Sequence, residues 1–131
     1  MITILCIDDE REIRELLAEE FEDSGLNVIQ ASNGREGLEK ILAHTPDIVV
    51  CDISMPEMNG HEVMAAVRMN HPELANMPII LLSALTDRHN TLQGLSAGAD
   101  DYLSKPIDLD LLMAKISGCI MMLENRKSLV F

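Results

Sequence analysis

The sequence predicts an α/β protein built on a five-stranded parallel sheet with helices on both faces. Three observations carry that expectation. Five short apolar runs alternate with five stretches of helical periodicity, and no repeat, linker or low-complexity segment interrupts them. The runs at 48–51 and 79–82 are unbroken and contain several β-branched residues, the mark of strands buried on both faces. Finally, Asp8-Asp9, Asp52, Ser83 and Lys105 stand at the carboxyl ends of the first, third, fourth and fifth runs. In an open parallel sheet those ends open on one edge, where ligands gather.

Taken in order, residues 2–7 form the first strand and lead into Asp8-Asp9-Glu10. A helix is expected over about 11–24, with Ile13, Leu16, Leu17 and Phe21 on its inner face and Gly25 ending it. The second strand covers 26–31. A turn at Gly34 opens a second helix whose buried side is Leu38, Ile41 and Leu42, and which stops before Pro46. The third strand, 47–52, runs straight into a loop punctuated by Pro56 and Gly60. Val63, Met64 and Val67 mark a third helix, closed by His71-Pro72. Strand four is 78–83. A more polar fourth helix covers roughly 87–97 and ends at Gly98. Strand five, about 100–104, is broken by Lys105-Pro106, and a last helix starts near Asp108.

At 131 residues this is one domain, large enough to bury a core without disulfides or metal staples. An apolar content of 47% excludes disorder, and with no Trp, one Tyr and two Phe the core must be aliphatic, with nine Met as adaptable filler. The net charge of −12 argues against a standalone nucleic-acid binder and fits a cation site or a basic partner, although most of it serves solubility. Cys6, Cys51 and Cys119 are odd in number, far apart and set in apolar runs, so buried thiols in a reducing compartment are expected. The histidines at 44, 61, 71 and 89 lack ligand spacing and are expected on the surface or in loops. No run approaches membrane-spanning length, and Met1-Ile2-Thr3 lacks a basic leader start; a cytoplasmic protein without membrane contact is expected.

If the first and third strands are neighbours, the carboxylates of Asp8, Asp9 and Asp52 share one hollow. Two such charges about 5 Å apart repel by roughly 3 kcal/mol at an effective dielectric near 20, so the cluster needs a cation or protons. Oxygen-only ligands favour Mg²⁺, which binds through one or two carboxylates plus a phosphate. Lys105 adds a mobile positive charge and Ser83 a hydroxyl donor. Each feature alone is commonplace: an Asp pair after a strand is more often a turn and helix cap than a metal site. Together, each at a strand end, they describe a phosphoryl-transfer site in which positioning and charge neutralisation carry the chemistry.

Over residues 2–122 the chain resembles the receiver domain of bacterial two-component response regulators. The matching motifs are Asp8-Asp9-Glu10, the stretch from Asp52 to Gly60 (Asp-Ile-Ser-Met-Pro-Glu-Met-Asn-Gly), Ser83-Ala84, and the stretch from Gly98 to Pro106 (Gly-Ala-Asp-Asp-Tyr-Leu-Ser-Lys-Pro). The resemblance implies a doubly wound, flavodoxin-like three-layer fold of strand order 2-1-3-4-5. It implies that Asp52 accepts a phosphoryl group from a sensor histidine kinase or phosphotransfer protein. Asp9 and Asp52 would bind Mg²⁺ directly and Asp8 through water, with the Ser54 main-chain carbonyl as a further ligand. Lys105 and Ser83 would contact the phosphoryl oxygens, small Ala84 would leave them room, and Lys105-Pro106 would be cis. Tyr102 would then turn into the space that Ser83 leaves, and the output face would be the fourth helix, strand five and the last helix. Such a protein catalyses only its own phosphorylation and dephosphorylation. Leu85 stands where receivers flank the attacking water, so slow self-dephosphorylation is expected.

On the last helix, Leu109, Leu112, Met113, Ile116 and Ile120 make a buried stripe. Leu111, Cys119 and Met122 make a second one, to be covered by a homodimer partner, by docking, or by a tail folding back. Leu111 occupies a place where an acidic residue would serve the charged pairing of the DNA-binding branch. Residues 1–122 are read as the receiver and 123–131 as a tail or the start of a linker. Two other readings rank lower. An aspartyl-phosphate phosphatase places its nucleophile after strand one with a second Asp two residues on, whereas Asp8 and Asp9 are adjacent. A flavin carrier needs a phosphate loop after strand one and aromatics to sandwich the ring, and the chain lacks both.

Overall fold

The computed structural model describes residues 1–83 and 101–128. The expected fourth helix, with Ala84, Leu85, His89 and Gly98, lies outside the described residues, as does the first residue expected for strand five. Five strands, β1 (Thr3–Ile7), β2 (Asn27–Ala31), β3 (Ile48–Asp52), β4 (Ile79–Ser83) and β5 (Asp101–Ser104), form one parallel sheet in the order β2-β1-β3-β4-β5. The helices are α1 (Arg11–Asp23), α2 (Gly34–His44), α3 (Gly60–Asn70) and a C-terminal helix (Leu109–Ser128), with a 3₁₀ turn at Pro72–Leu74. The doubly wound order that the family resemblance implies is the order found.

Alternation along the strands divides the core between the two faces of the sheet. Leu5, Ile7, Val49, Cys51, Ile79 and Leu81 pack with Ile41, Val63, Met64 and Val67 on one side. Ile4, Cys6, Ile48, Val50, Ile80 and Leu82 pack with Leu17, Phe21, Leu112 and Ile116 on the other. Every residue of β3 and β4 is buried, which explains why those two runs carry no alternation in the sequence.

Two expected core positions are exposed: Leu16 is 53% and Leu42 42% accessible. On α1 the sheet takes Leu17, Ala18 and Phe21, so Leu16 turns outward on the far side of Leu17. On α2 the buried line is Gly34, Gly37 and Ile41. A Cβ on Gly37 would stand 2.5 Å from Ile7 Cδ1, so the helix rests on its glycine face and swings Leu42 to solvent.

In the C-terminal helix Leu112 and Ile116 are fully buried, while Leu109, Met113 and Ile120 pack partly buried beside them. Cys119 also packs against this core, so it does not belong to the second, exposed stripe. Leu111 and Met122 are exposed, and Met121 joins them. Residues 123–128 continue the helix rather than folding back, and Arg126 Nη1 donates to the Asn76 carbonyl at 3.3 Å.

Candidate functional site

β1 and β3 lie side by side with Ile7 opposite Cys51, so Asp8 and Asp52 emerge together at the carboxyl edge of the sheet. Both are buried. The backbone of Asp8 is fastened at both ends: its N–H donates to the Ala31 carbonyl at 3.1 Å, and its carbonyl accepts from Arg14 Nη1 at 2.8 Å. Asp8 Oδ1 accepts the Glu10 N–H at 2.9 Å, while Oδ2, also buried, has no hydrogen-bond partner. Asp9 and Glu10 are exposed at the rim. Oxygens of Asp8, Asp9, Glu10 and Asp52 all lie within 4.8 Å of one another.

Lys105 arrives from the far strand. Its peptide N–H donates to the Ser83 carbonyl at 2.6 Å, which continues the β4–β5 ladder by one residue, and its bond to Pro106 is cis. Lys105 Nζ lies 3.2 Å from Asp52 Oδ2, 3.5 Å from Glu10 Oε1 and 3.6 Å from Asp8 Oδ2. Ser83, buried on β4, pairs with Ser104 beside this edge. Ser54, two residues beyond Asp52, is exposed.

Burial, reinforced by the charge of Asp8, pushes the Asp52 carboxyl up to about 6, against the opposing pull of Lys105 and the Ser54 N–H. Burial also raises Asp8, with the Glu10 N–H and Lys105 acting in the other direction. For Lys105, burial alone would lower the pKa, but Asp52 and Asp8 outweigh it and raise the value, so the ammonium stays charged at neutral pH. Among the described residues, Lys105 pairs with three carboxylates, those of Asp8, Glu10 and Asp52, and Asp9 adds a fourth to the cluster. The surplus negative charge, the buried Asp8 Oδ2 without a hydrogen bond and the oxygen-only donors fit a hard divalent cation of the Mg²⁺ class. The Cys6 and Cys51 thiols are unsuited to reaction: burial raises Cys6 to about 12 and Cys51 well above its ordinary value.

The loop after Asp52 is held closely. Ile53 N–H donates to the Leu82 carbonyl at 3.0 Å, and Gly60 N–H to the Ile53 carbonyl at 3.1 Å. A Cβ on Gly60 would stand 2.6 Å from the Asp52 carbonyl oxygen and 2.9 Å from Ile53 Cα, so only glycine allows this approach. Asn59 and Glu62 form a capping box that starts α3 there.

Glu10 joins this cluster although no expected role falls on it. It is the N-cap residue of α1 but makes no side-chain cap bond, which leaves its carboxylate to face Lys105. Its position directly after the Asp pair was the available signal. Tyr102, by contrast, lies apart from the acidic cluster. Half-buried on β5, it packs on the α2/α3 side of the sheet with its hydroxyl 3.3 Å from His61 Nε2. His61 is therefore not the surface or loop residue expected; it is half-buried in the first turn of α3.

Residues 4–117 match the response regulator receiver domain family. The chain belongs to that family. The receiver is 35% identical over 116 residues to the response regulator ArlR of Staphylococcus saprophyticus, covering 88% of this chain and 51% of the relative. The ArlR of Staphylococcus aureus is 34% identical over the same length and coverage, so the receiver spans about half of these curated relatives. Among solved structures it is similar to a receiver domain protein of Clostridium thermocellum, with a TM-score of 0.86 and 30% identity over 100% of both chains. A CheY-like receiver domain protein of Methanospirillum hungatei gives a TM-score of 0.87 at 28% identity, over 96% of this chain and 98% of the other. Among the described residues, no helix of the receiver is long and apolar enough to cross a membrane.

Proposed function

We propose that this receiver is the phospho-accepting switch of a two-component phosphorelay and that Asp52 is the acceptor. The observation that carries this reading is the buried Asp52 carboxylate at the strand edge, with Lys105 Nζ 3.2 Å away and Asp8 beside it. An Asp52 carboxylate oxygen attacks the phosphorus of a phosphohistidine on a sensor kinase or phosphotransfer protein. The P–N bond breaks and its electron pair stays on the imidazole nitrogen, leaving an acyl phosphate on Asp52. Lys105 pairs with the phosphoryl oxygens, and the Ser83 hydroxyl donates to one of them. When bound, Mg²⁺ supplies positive charge to the same oxygens, held by Asp8, Asp9, Asp52 and the Ser54 main-chain carbonyl.

The added charge draws Ser83 toward it, and Tyr102 follows. The response reaches β5 and the C-terminal helix, whose exposed Leu111, Met121 and Met122 suit a second copy or a docking partner. In this reading the receiver acts in the cytoplasm, touches neither membrane nor nucleic acid itself, and turns over no substrate beyond its own acyl phosphate. Intact mass after acetyl phosphate treatment, with and without Mg²⁺, tests it. One phosphoryl group is expected on the wild type with Mg²⁺ and none on Asp52→Ala. A wild type that never gains this mass removes the proposal.

A further inference from the structure

Tyr102 has a neighbour that the relay through Ser83 does not use. Its hydroxyl lies 3.3 Å from His61 Nε2, and the two rings are 6.3 Å apart at 36°. With the imidazole proton on Nδ1, the Tyr102 hydroxyl donates to Nε2. His61 directly follows Gly60, the residue seated on the Asp52–Ile53 backbone with no room for a Cβ and hydrogen-bonded to the Ile53 carbonyl. A short chain of contacts thus runs from the Asp52 main chain through Gly60 and His61 to Tyr102. The capping box of Asn59 and Glu62 stiffens the first turn of α3, so displacement of the loop moves His61 with it.

We propose that His61 is a positioning residue for Tyr102 and forms a second coupling route from the phosphorylation site to it, through the first turn of α3. The bond holds Tyr102 in the position seen here. Rearrangement of the Asp52–Ile53 backbone on phosphorylation loosens it, and release of Tyr102 in turn favours phosphorylation, because coupling between sites is reciprocal. The inference rests on the proposed acceptor role of Asp52.

The chain contains one Tyr and no Trp, so its tyrosine emission reports Tyr102 alone. An imidazole that accepts the phenol proton in the excited state quenches that emission. The experiment compares wild type, His61→Leu, His61→Gln and Ser83→Ala, before and after acetyl phosphate with Mg²⁺, with the degree of phosphorylation read by intact mass. In the resting state, His61→Leu should raise the emission and His61→Gln, which keeps a polar partner, should recover part of the wild-type behaviour. On phosphorylation, wild-type emission should rise toward that of His61→Leu, while His61→Leu itself changes little. Ser83→Ala should keep part of the wild-type response for the fraction phosphorylated. Loss of the latch should also tighten binding of the phosphoryl mimic beryllium trifluoride by about two- to tenfold, the factor that one net hydrogen bond represents.

Unchanged resting emission in His61→Leu overturns the proposal. So does a phosphorylated wild type whose emission is unmoved, or a Ser83→Ala response that vanishes completely although the mass shift is present. Absence of any mass gain overturns the acceptor role and the coupling together, and the mass reading identifies that case separately.

Discussion

Lys105 Nζ stands 3.2 Å from Asp52 Oδ2 and 3.6 Å from Asp8 Oδ2, an ammonium between two buried carboxylates, one directly after β1 and one ending β3. Replacing it with an apolar side chain leaves both carboxylates without their counter-charge. Lys105→Met should therefore lose about 1–3 kcal/mol at pH 7, less than a wholly buried pair because a fifth of the lysine side chain remains in solvent. Urea unfolding checks the value, and Mg²⁺ should restore part of it. Phosphate uptake from acetyl phosphate should fall at least about tenfold, since the attacked phosphoryl group loses its positive partner.

The raised carboxyl of Asp52 makes an opposite prediction for its own removal. A folded-state pKa of about 6 against an ordinary 3.8 means that the native protein holds this proton more tightly than the unfolded chain. The associated stability is fully present below about pH 4 and is lost as pH rises through about 6. Ionising the group in the metal-free fold then costs about 3 kcal/mol. Asp52→Asn should be more stable than wild type at pH 7 by about 1–3 kcal/mol, with the difference shrinking to near zero at pH 4. A difference independent of pH would show that burial and Asp8 do not act on this carboxyl as described.

Mg²⁺ should reverse that penalty. A cation bound only by the folded state stabilises by about 2.7 kcal/mol at a hundred times its Kd. Thermal melts should therefore rise with Mg²⁺ for wild type, rise less for Asp9→Ala, and scarcely move for Asp52→Asn. Equal shifts in all three would place the cation elsewhere.

Two glycines separate close approach from helix entropy. Gly60→Ala puts a Cβ 2.6 Å from the Asp52 carbonyl oxygen, a main-chain atom that cannot step aside, and should cost about 1–3 kcal/mol. Gly118, within the C-terminal helix, has nothing within 4 Å of an added Cβ, so Gly118→Ala should stabilise by about 0.5–1 kcal/mol. Chemical denaturation of the two variants distinguishes them by sign.

Leu85, outside the described residues, carries an expectation from the family resemblance alone. An apolar side chain cannot orient a water for attack on the acyl phosphate. Leu85→Asn or Leu85→Glu should shorten the lifetime of the phosphorylated protein severalfold, measured by the decay of intact mass, and an unchanged lifetime would discard the argument.

Much of the site was legible because its residues sit at predictable places in local patterns. Asp8, Asp9, Asp52, Ser83 and Lys105 each end or follow an apolar run, and a parallel sheet brings such ends to one edge. Glu10 and His61 were not legible in that way. The Glu10–Lys105 and His61–Tyr102 contacts join segments distant in the chain, and neither partner carries a periodic signal. Leu16 and Leu42 show a related limit. Helical spacing identifies an apolar side but leaves the rotation about the helix axis open by roughly one residue step. On α2 that rotation is decided by Gly37, whose missing side chain lets the backbone meet Ile7.

By itself the sequence determined the alternation of strands and helices, the doubly buried centre of the sheet and the edge at which the acidic and basic residues emerge. These follow from periodicity and from side-chain size, which each segment carries within itself. Only the tertiary structure decided that Asp8, Glu10 and Asp52 converge on the Lys105 ammonium, that Asp8 Oδ2 is left without a hydrogen bond, and that His61 meets Tyr102. Those relationships depend on packing distances between elements far apart in the chain, and such distances exist only once the core has closed.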